Sequence, residues 1–166
     1  MKTKSNTVLY ALHQDSGIPD EQIIELHGNT RRARCMSYGK IVSLQEVHRR
    51  IEQGNPAPQC ECGGYLKSDT ISFGQAMPVD EVEKATNLSK NSDFFMVIGS
   101  TLLVHPAAAI PGYATQNSAF LVIVNVSETP YDDVTDVLIQ GKAGQVLPEI
   151  TKEVRRLRGQ RLKQQK

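Results

Sequence analysis

The sequence predicts an α/β protein built on a parallel sheet with helices on both faces, together with a small cysteine-bearing module. Three observations predict this. After Val79, nearly continuous aliphatic runs alternate with amphipathic stretches, the pattern of strands buried on both faces and joined by crossover helices. Each of those runs ends in small or polar residues. All three cysteines fall in the preceding stretch, Asn29 to about Pro78, with Cys60 and Cys62 among Pro56, Pro58, Gly63 and Gly64.

Composition narrows the classes. The 166 residues are 39% apolar and 22% charged, enough for one domain with a core or for one domain carrying a small insert. A formal charge of +1 gives no whole-chain field that would draw nucleic acid or an anionic membrane. With no Trp and 5% aromatics, the core must be aliphatic. No apolar run reaches bilayer length. The start, MKTKSNTVLYALHQDSG, carries an apolar patch too short for a secretory signal. The expected location is the cytoplasm. In that reducing compartment an odd number of cysteines points to metal ligation, or its remnant, and not to a disulfide framework.

Each element can be justified in turn. Met1 to Gly28 is mixed, with turn signals at Asp15-Ser16-Gly17 and Ile18-Pro19. Ser43 to Gln53 reads as a helix, because Val47 and Ile51 stand four apart on one face. Gly54-Asn55-Pro56 ends it. The segment from Pro58 to Gly64 reads as loop, part of a module held by something other than a large core. Asp80 to Lys90 is an amphipathic helix. Asp93–Gly99, Ala119–Asn125 and Asp136–Ile139 are the apolar runs. Pro106 to Thr115 is Ala-rich and helical, with Pro111-Gly112 near its end. Gly144 to Arg158 is a helix striped by Val146, Leu147, Ile150, Val154 and Leu157. The basic tail RGQRLKQQK is a solvated helix end, with nucleic-acid contact the alternative.

Ligands of open parallel sheets bind outside the carboxyl ends of the strands. Here those ends carry Gly99-Ser100-Thr101, Asn125-Val126-Ser127 and Gly141-Lys142-Ala143-Gly144. They are either a ligand crevice or simply turns. Neither G-x-G-x-x-G nor G-x-x-x-x-G-K-[ST] occurs in the chain. Cys35, Cys60 and Cys62 offer three thiolates to a metal that prefers four ligands. The fourth could be His48, Glu61, water or nothing, and a decayed site is the alternative. Of the histidines, His13, His48 and His105 are isolated. His27 sits in Glu25-Leu26-His27-Gly28-Asn29, where a sharp turn can present an imidazole to a cleft. Such a group suits proton transfer near neutral pH; a hydrogen-bonded structural histidine is the other reading.

Several stretches in order resemble one family. "LHQDSGIP", "IELHGNTRRARC", "CGGYLKSDTISFGQAMP", "DFFMVIGSTLLVHPAAAIP", "LVIVNVSETPYDD" and "GKAGQVLPEI" are similar to the sirtuins, the NAD-dependent protein deacylases, in their bacterial form. The resemblance runs from about Leu12 to Ile150. It implies that the sheet is the C-terminal part of a Rossmann-like fold and that the module is zinc-ribbon-like. It implies His27 as catalytic base, Phe73 and Gly74 at the acyl-lysine substrate, and Gly99, Ser100, Thr101, Asn125 and Ala143 at NAD. Cys35, Cys60 and Cys62 match three of four zinc cysteines, and Tyr38 occupies the fourth place. The implied division is a catalytic-loop segment over 1–28, a zinc-binding-type module and substrate loop over 29–78, an NAD-binding half over 79–158, and a basic tail over 159–166.

The departures from the family are also specific. No glycine-rich NAD loop is present, and Val8 and Tyr10 stand where the family has the asparagine and aspartate of Thr-Gln-Asn-x-Asp. The expectation is an N-terminally truncated, impaired NAD-dependent protein-lysine deacetylase acting on an acyl-lysine protein or peptide. The alternatives are a non-catalytic remnant, or a half-enzyme completed by a polypeptide supplying the other NAD-binding half. Either would act as an ADP-ribose-binding or protein-interaction module.

Overall fold

The structure, a computed structural model, describes residues 4–6 and 12–164; Val8 and Tyr10 lie outside the described residues. The chain divides into two compact units, Met1–Ala85 and Thr86–Lys166.

In the first unit, β1 (Lys4–Asn6) pairs in parallel with β2 (Ile23–Glu25). A helical turn, α1 (Leu12–Asp15), lies between them in sequence. The cysteine-bearing stretch is not bare loop. Strand β3 (Gly28–Cys35) is the centre of an antiparallel sheet, flanked by β4 (Ile41–Ser43) and β5 (Leu66–Thr70), in the order β4-β3-β5. Its sequence, GNTRRARC, hides the alternation expected of a half-buried strand, because the inward residues Asn29, Ala33 and Cys35 are small or polar. Between the Gly28↔Thr70 and Ala33↔Ser68 pairs the register slips, so that five steps of β3 face two of β5. This is a bulge. Helix α2 (Leu44–Glu52) falls where Val47 and Ile51 predict it; Val47 is buried, whereas Ile51 is exposed. The unit's buried apolar side chains include Ile24, Leu26, Ala33, Cys35 and Val47. α3 (Val79–Lys90) follows.

The second unit is a three-stranded parallel sheet in the order β6 (Phe94–Ile98), β7 (Phe120–Asn125), β8 (Val137–Gln140). All three strands coincide with the aliphatic runs. β7 is central and buried from Leu121 to Asn125. Val97, Leu102, Ala108, Leu121 and Ile123 form one apolar cluster, with Phe95 and Tyr131 packed on it. Burying each large member contributes about 1.5–3 kcal/mol. The Ala-rich stretch is two pieces: a single 3-10 turn over Ala107–Ala109, then α4 (Ile110–Thr115). Pro111 stands at the start of α4, where its missing N–H costs nothing. It therefore begins the helix instead of ending it. α5 (Ala143–Gln164) runs six residues past Arg158, because RGQRLKQ contains no strong breaker. Val146, Leu147 and Ile150 are half-buried, but Val154 and Leu157 are exposed, so the apolar stripe is covered only in its first turns. Among the described residues, no helix is long and apolar enough to cross a membrane.

Candidate functional site

In the first unit, His27 lies in the two-residue connection between β2 and β3 and is half-buried. Its backbone carbonyl accepts the Ile71 N–H at 3.0 Å. The next residue must be glycine. Gly28 has φ +77°, and a Cβ placed there would sit 2.0 Å from the Asp69 carbonyl oxygen. No side chain fits that approach, and the positive φ disfavours one in any case. The glycine thus lets β3 close on β5 and fixes the backbone on which the imidazole is mounted.

An ionic network holds the same segment. Glu25 accepts from Gln14 Nε2 (2.8 Å), Asn29 Nδ2 (2.6 Å) and Arg32 (2.8 Å). Asp69, which is buried, accepts from Arg32 Nε at 3.1 Å and Arg34 Nε at 2.7 Å. Arg32 therefore ties the residue two before His27 to β5. This network borders a polar cleft of about 820 Å³ that Glu25, Gly28, Arg32, Asp69 and Thr70 help to line. Sequence reading did not single out Asp69 or the arginines. The available signal was the clustering of three arginines in TRRAR, which demands countercharges. Past Ile71, Phe73 is almost wholly exposed and Gly74 has φ +80°, in a turn closed by Gln75 N–H to the Ser72 carbonyl at 3.0 Å. His27 and the strand leading to Phe73 are thereby joined through Ile71.

The three cysteines also belong to this unit and come together. Cys35 ends β3, Cys60 and Cys62 lie in the turn before β5, and their sulfurs all lie within 4.8 Å of one another. Cys35 Sγ is 3.4 Å from Cys62 Sγ. Around tetrahedral zinc, with Zn–S near 2.3 Å, sulfurs stand about 3.8 Å apart; the cluster is compatible with a zinc site. The Tyr38 N–H points at Cys35 Sγ (3.4 Å). That amide, against opposing burial, holds the Cys35 thiol down at about 7. At Cys62 the Gly64 amide pulls the same way, but the neighbouring thiols Cys35 and Cys60 outweigh it and the value is raised. Gly64 packs against the cluster so closely that a Cβ would lie 2.8 Å from Cys35 Sγ. Tyr38 itself is 74% exposed.

In the second unit, the parallel order brings the remaining predicted residues to one edge. Gly99 follows β6 with φ +62° and donates its N–H to the Val124 carbonyl at 2.9 Å. Ser100 Oγ accepts the Leu102 N–H at 3.3 Å, and Thr101 is exposed. Asn125 ends β7, buried, with Nδ2 donating to the Ser127 carbonyl (2.8 Å) and hydroxyl (3.2 Å). Its own carbonyl accepts the Gly141 N–H at 2.8 Å, and Ala143 opens α5 two residues on. Three strand ends are thus laced side by side through backbone hydrogen bonds.

A Rossmann-like parallel sheet accompanied by a zinc-ribbon-like cysteine module defines a recognisable class of α/β protein. The model of the Sir2 family matches residues 8–106, and the chain belongs to that family, the sirtuins. It is 47% identical over 137 residues to NAD-dependent protein deacetylase 1 of Bradyrhizobium diazoefficiens, covering 82% of this chain and 54% of that protein. It is 39% identical over 146 residues to the NAD-dependent protein deacetylase of Sulfolobus acidocaldarius, covering 88% and 56%. Among solved structures, Sir2 bound to an acetylated peptide superposes with a TM-score of 0.86 at 28% identity, over 92% of this chain and 63% of the other. Sir2 with a p53 peptide and NAD+ gives 0.85 at 28% identity, over 92% and 63%. The chain spans a little over half the length of the curated relatives it matches.

Proposed function

We propose that this chain is part of an NAD-dependent protein-lysine deacetylase, carrying its proton acceptor, its substrate loop and one wall of its cofactor site. The observation that carries this reading is the edge formed by Gly99, Ser100, Asn125 and Ala143 at three parallel strand ends, where nucleotides bind in such sheets. The residues fit the cofactor. A Cβ built at Gly99 meets nothing within 4 Å, so the backbone after β6 leaves open space at that strand end. Relatives named as NAD-dependent deacetylases and Sir2 structures holding acetylated peptide support the same reading.

NAD, when bound, would supply the electrophilic ribose carbon, which the acyl-lysine oxygen attacks as nicotinamide leaves. Gly99, Ser100 and Thr101 hold its phosphate and ribose, Asn125 the adenine ribose, and Ala143 the adenine through its backbone. His27 accepts a proton from a hydroxyl at a ring nitrogen. Gly28, Glu25 and Asp69 hold the backbone segment that carries that ring. Phe73 and Gly74 face the acyl-lysine. Zinc at Cys35, Cys60 and Cys62 braces β3 and takes no part in the transfer. Unpaired thiols kept for a metal support a cytoplasmic setting.

These 166 residues alone are an impaired catalyst, because positioning supplies much of a barrier's reduction and no glycine-rich phosphate loop is among them. NAD or ADP-ribose should raise the melting temperature with ligand concentration, and Asn125→Ala should abolish the shift. Nicotinamide release with an acetyl-lysine peptide should be slow, and His27→Ala should lower it roughly 10²-fold or more. Absence of any shift with both ligands would sink the cofactor site. A second reading, a half-enzyme completed by another polypeptide, is favoured by Phe94, Ile98, Phe120 and Leu138, all exposed on the second unit's sheet. Co-expression with the glycine-rich portion of a relative should then restore turnover.

A further inference from the structure

We propose that the cysteine cluster is a three-thiolate zinc site whose fourth coordination position, beside Tyr38, is open to solvent and accepts a small thiol. Tetrahedral zinc takes four ligands, and closed structural sites supply all of them from protein. Here three sulfurs lie within 4.8 Å of one another, and among the described residues no imidazole or carboxylate joins the group. The candidates for a fourth ligand can be eliminated one by one. His48 is exposed on α2 and outside the cluster. Glu61 stands between two of the cysteines, but its carboxylate is 86% exposed and engaged by Lys40 Nζ at 2.7 Å. Tyr38 lends the cluster its backbone N–H, at 3.4 Å from Cys35 Sγ, while its side chain is 74% exposed.

The backbone at position 38 therefore reaches the cluster without delivering a ligand. A water would complete the coordination there, as it does at zinc sites with three protein ligands. A soft donor competes well for zinc already bound by thiolates. In the exchange the water leaves, the thiol sulfur bonds to the metal, and the thiol proton passes to solvent. The metal is neither oxidised nor reduced. The Lys40 ammonium, near Cys60 and paired with Glu61, offsets part of the added negative charge. This inference is independent of the cofactor reading, since it concerns only the thiols and the metal.

The full chain loaded with Co²⁺ and freed of unbound metal provides the test. Its sulfur-to-cobalt charge-transfer absorption should rise by about one third on adding 2-mercaptoethanol, as three bound sulfurs become four. Tyr38→Phe should show the parent spectrum and the parent response. Tyr38→Cys should start at the four-sulfur intensity, ignore added thiol, and lose zinc to a chelator more slowly. If Tyr38→Cys does not fold, the parent and Tyr38→Phe still decide. A parent spectrum indifferent to thiol would overturn the proposal. So would a changed spectrum in Tyr38→Phe, which would make the phenol a ligand, or failure of the parent to bind either metal.

Discussion

In the second unit the central strand β7 is buried without interruption from Leu121 to Asn125, and its apolar side chains meet Val97, Leu102 and Ala108. In the first unit the central strand β3 buries only Asn29, Ala33 and Cys35, and beyond its ladders to β4 and β5 its side chains enter ion pairs and the thiol cluster. Apolar burial is insensitive to pH and to metal. Carboxylates respond to pH, and thiols to both pH and metal. The first unit thus leans more on ion pairs and thiols and the second more on apolar burial, and the proposed proton acceptor belongs to the first.

Zinc removal should sharpen this contrast most visibly. Chelation should cost the first unit on the order of several kcal/mol. Amide exchange should then accelerate at Met36 and Cys60, whose N–H groups bond the Tyr65 and Gly64 carbonyls, but not from Leu121 to Asn125. Equal acceleration in both units would erase the distinction. Ile123→Ala is the complementary change. Ile123 is fully buried, so the cost should be about 2–5 kcal/mol, read by denaturant midpoint and by exchange within β6–β8. Gly28→Ala should cost about 3 kcal/mol in the first unit, because the Asp69 carbonyl must move aside and the positive φ becomes strained. It should also slow any His27-dependent turnover.

The smallest effect concerns pH. Arg49 and then Arg50 hold the Glu46 carboxyl at about 2, down from 4.5. A depressed carboxyl stabilises the folded state above its unfolded value, and that contribution fades as pH falls from about 4.5 toward about 2. Exchange in α2 should quicken over that window, and Glu46→Gln should flatten the dependence.

The contrast also explains what could be read from the sequence. β6, β7 and β8 announced themselves because a short unbroken aliphatic run bounded by turn residues reads as a strand buried on both faces. α2 and α5 announced themselves through spacing. β3 and β5 did not, since GNTRRARC and LKSDT carry polar and charged residues whose burial depends on partners 35 or more residues away, such as Asp69 with Arg32 and Arg34. The cysteines and the strand-end residues were identifiable by type. That Gly28 and Gly64 are demanded by contact distance, and that Glu25 and Asp69 are hubs, emerges only in three dimensions.

The slipped register of β3 against β5 has one more consequence. Gly28 and Ala33 each find their own partners on β5, while between them Asn29 is held by Glu25, and Arg32 by Glu25, Asp69 and its pairing with Ser43 of β4. The histidine turn and the sulfur cluster are therefore each tied to β5 through their own end of β3, at Gly28↔Thr70 and Cys35↔Leu66.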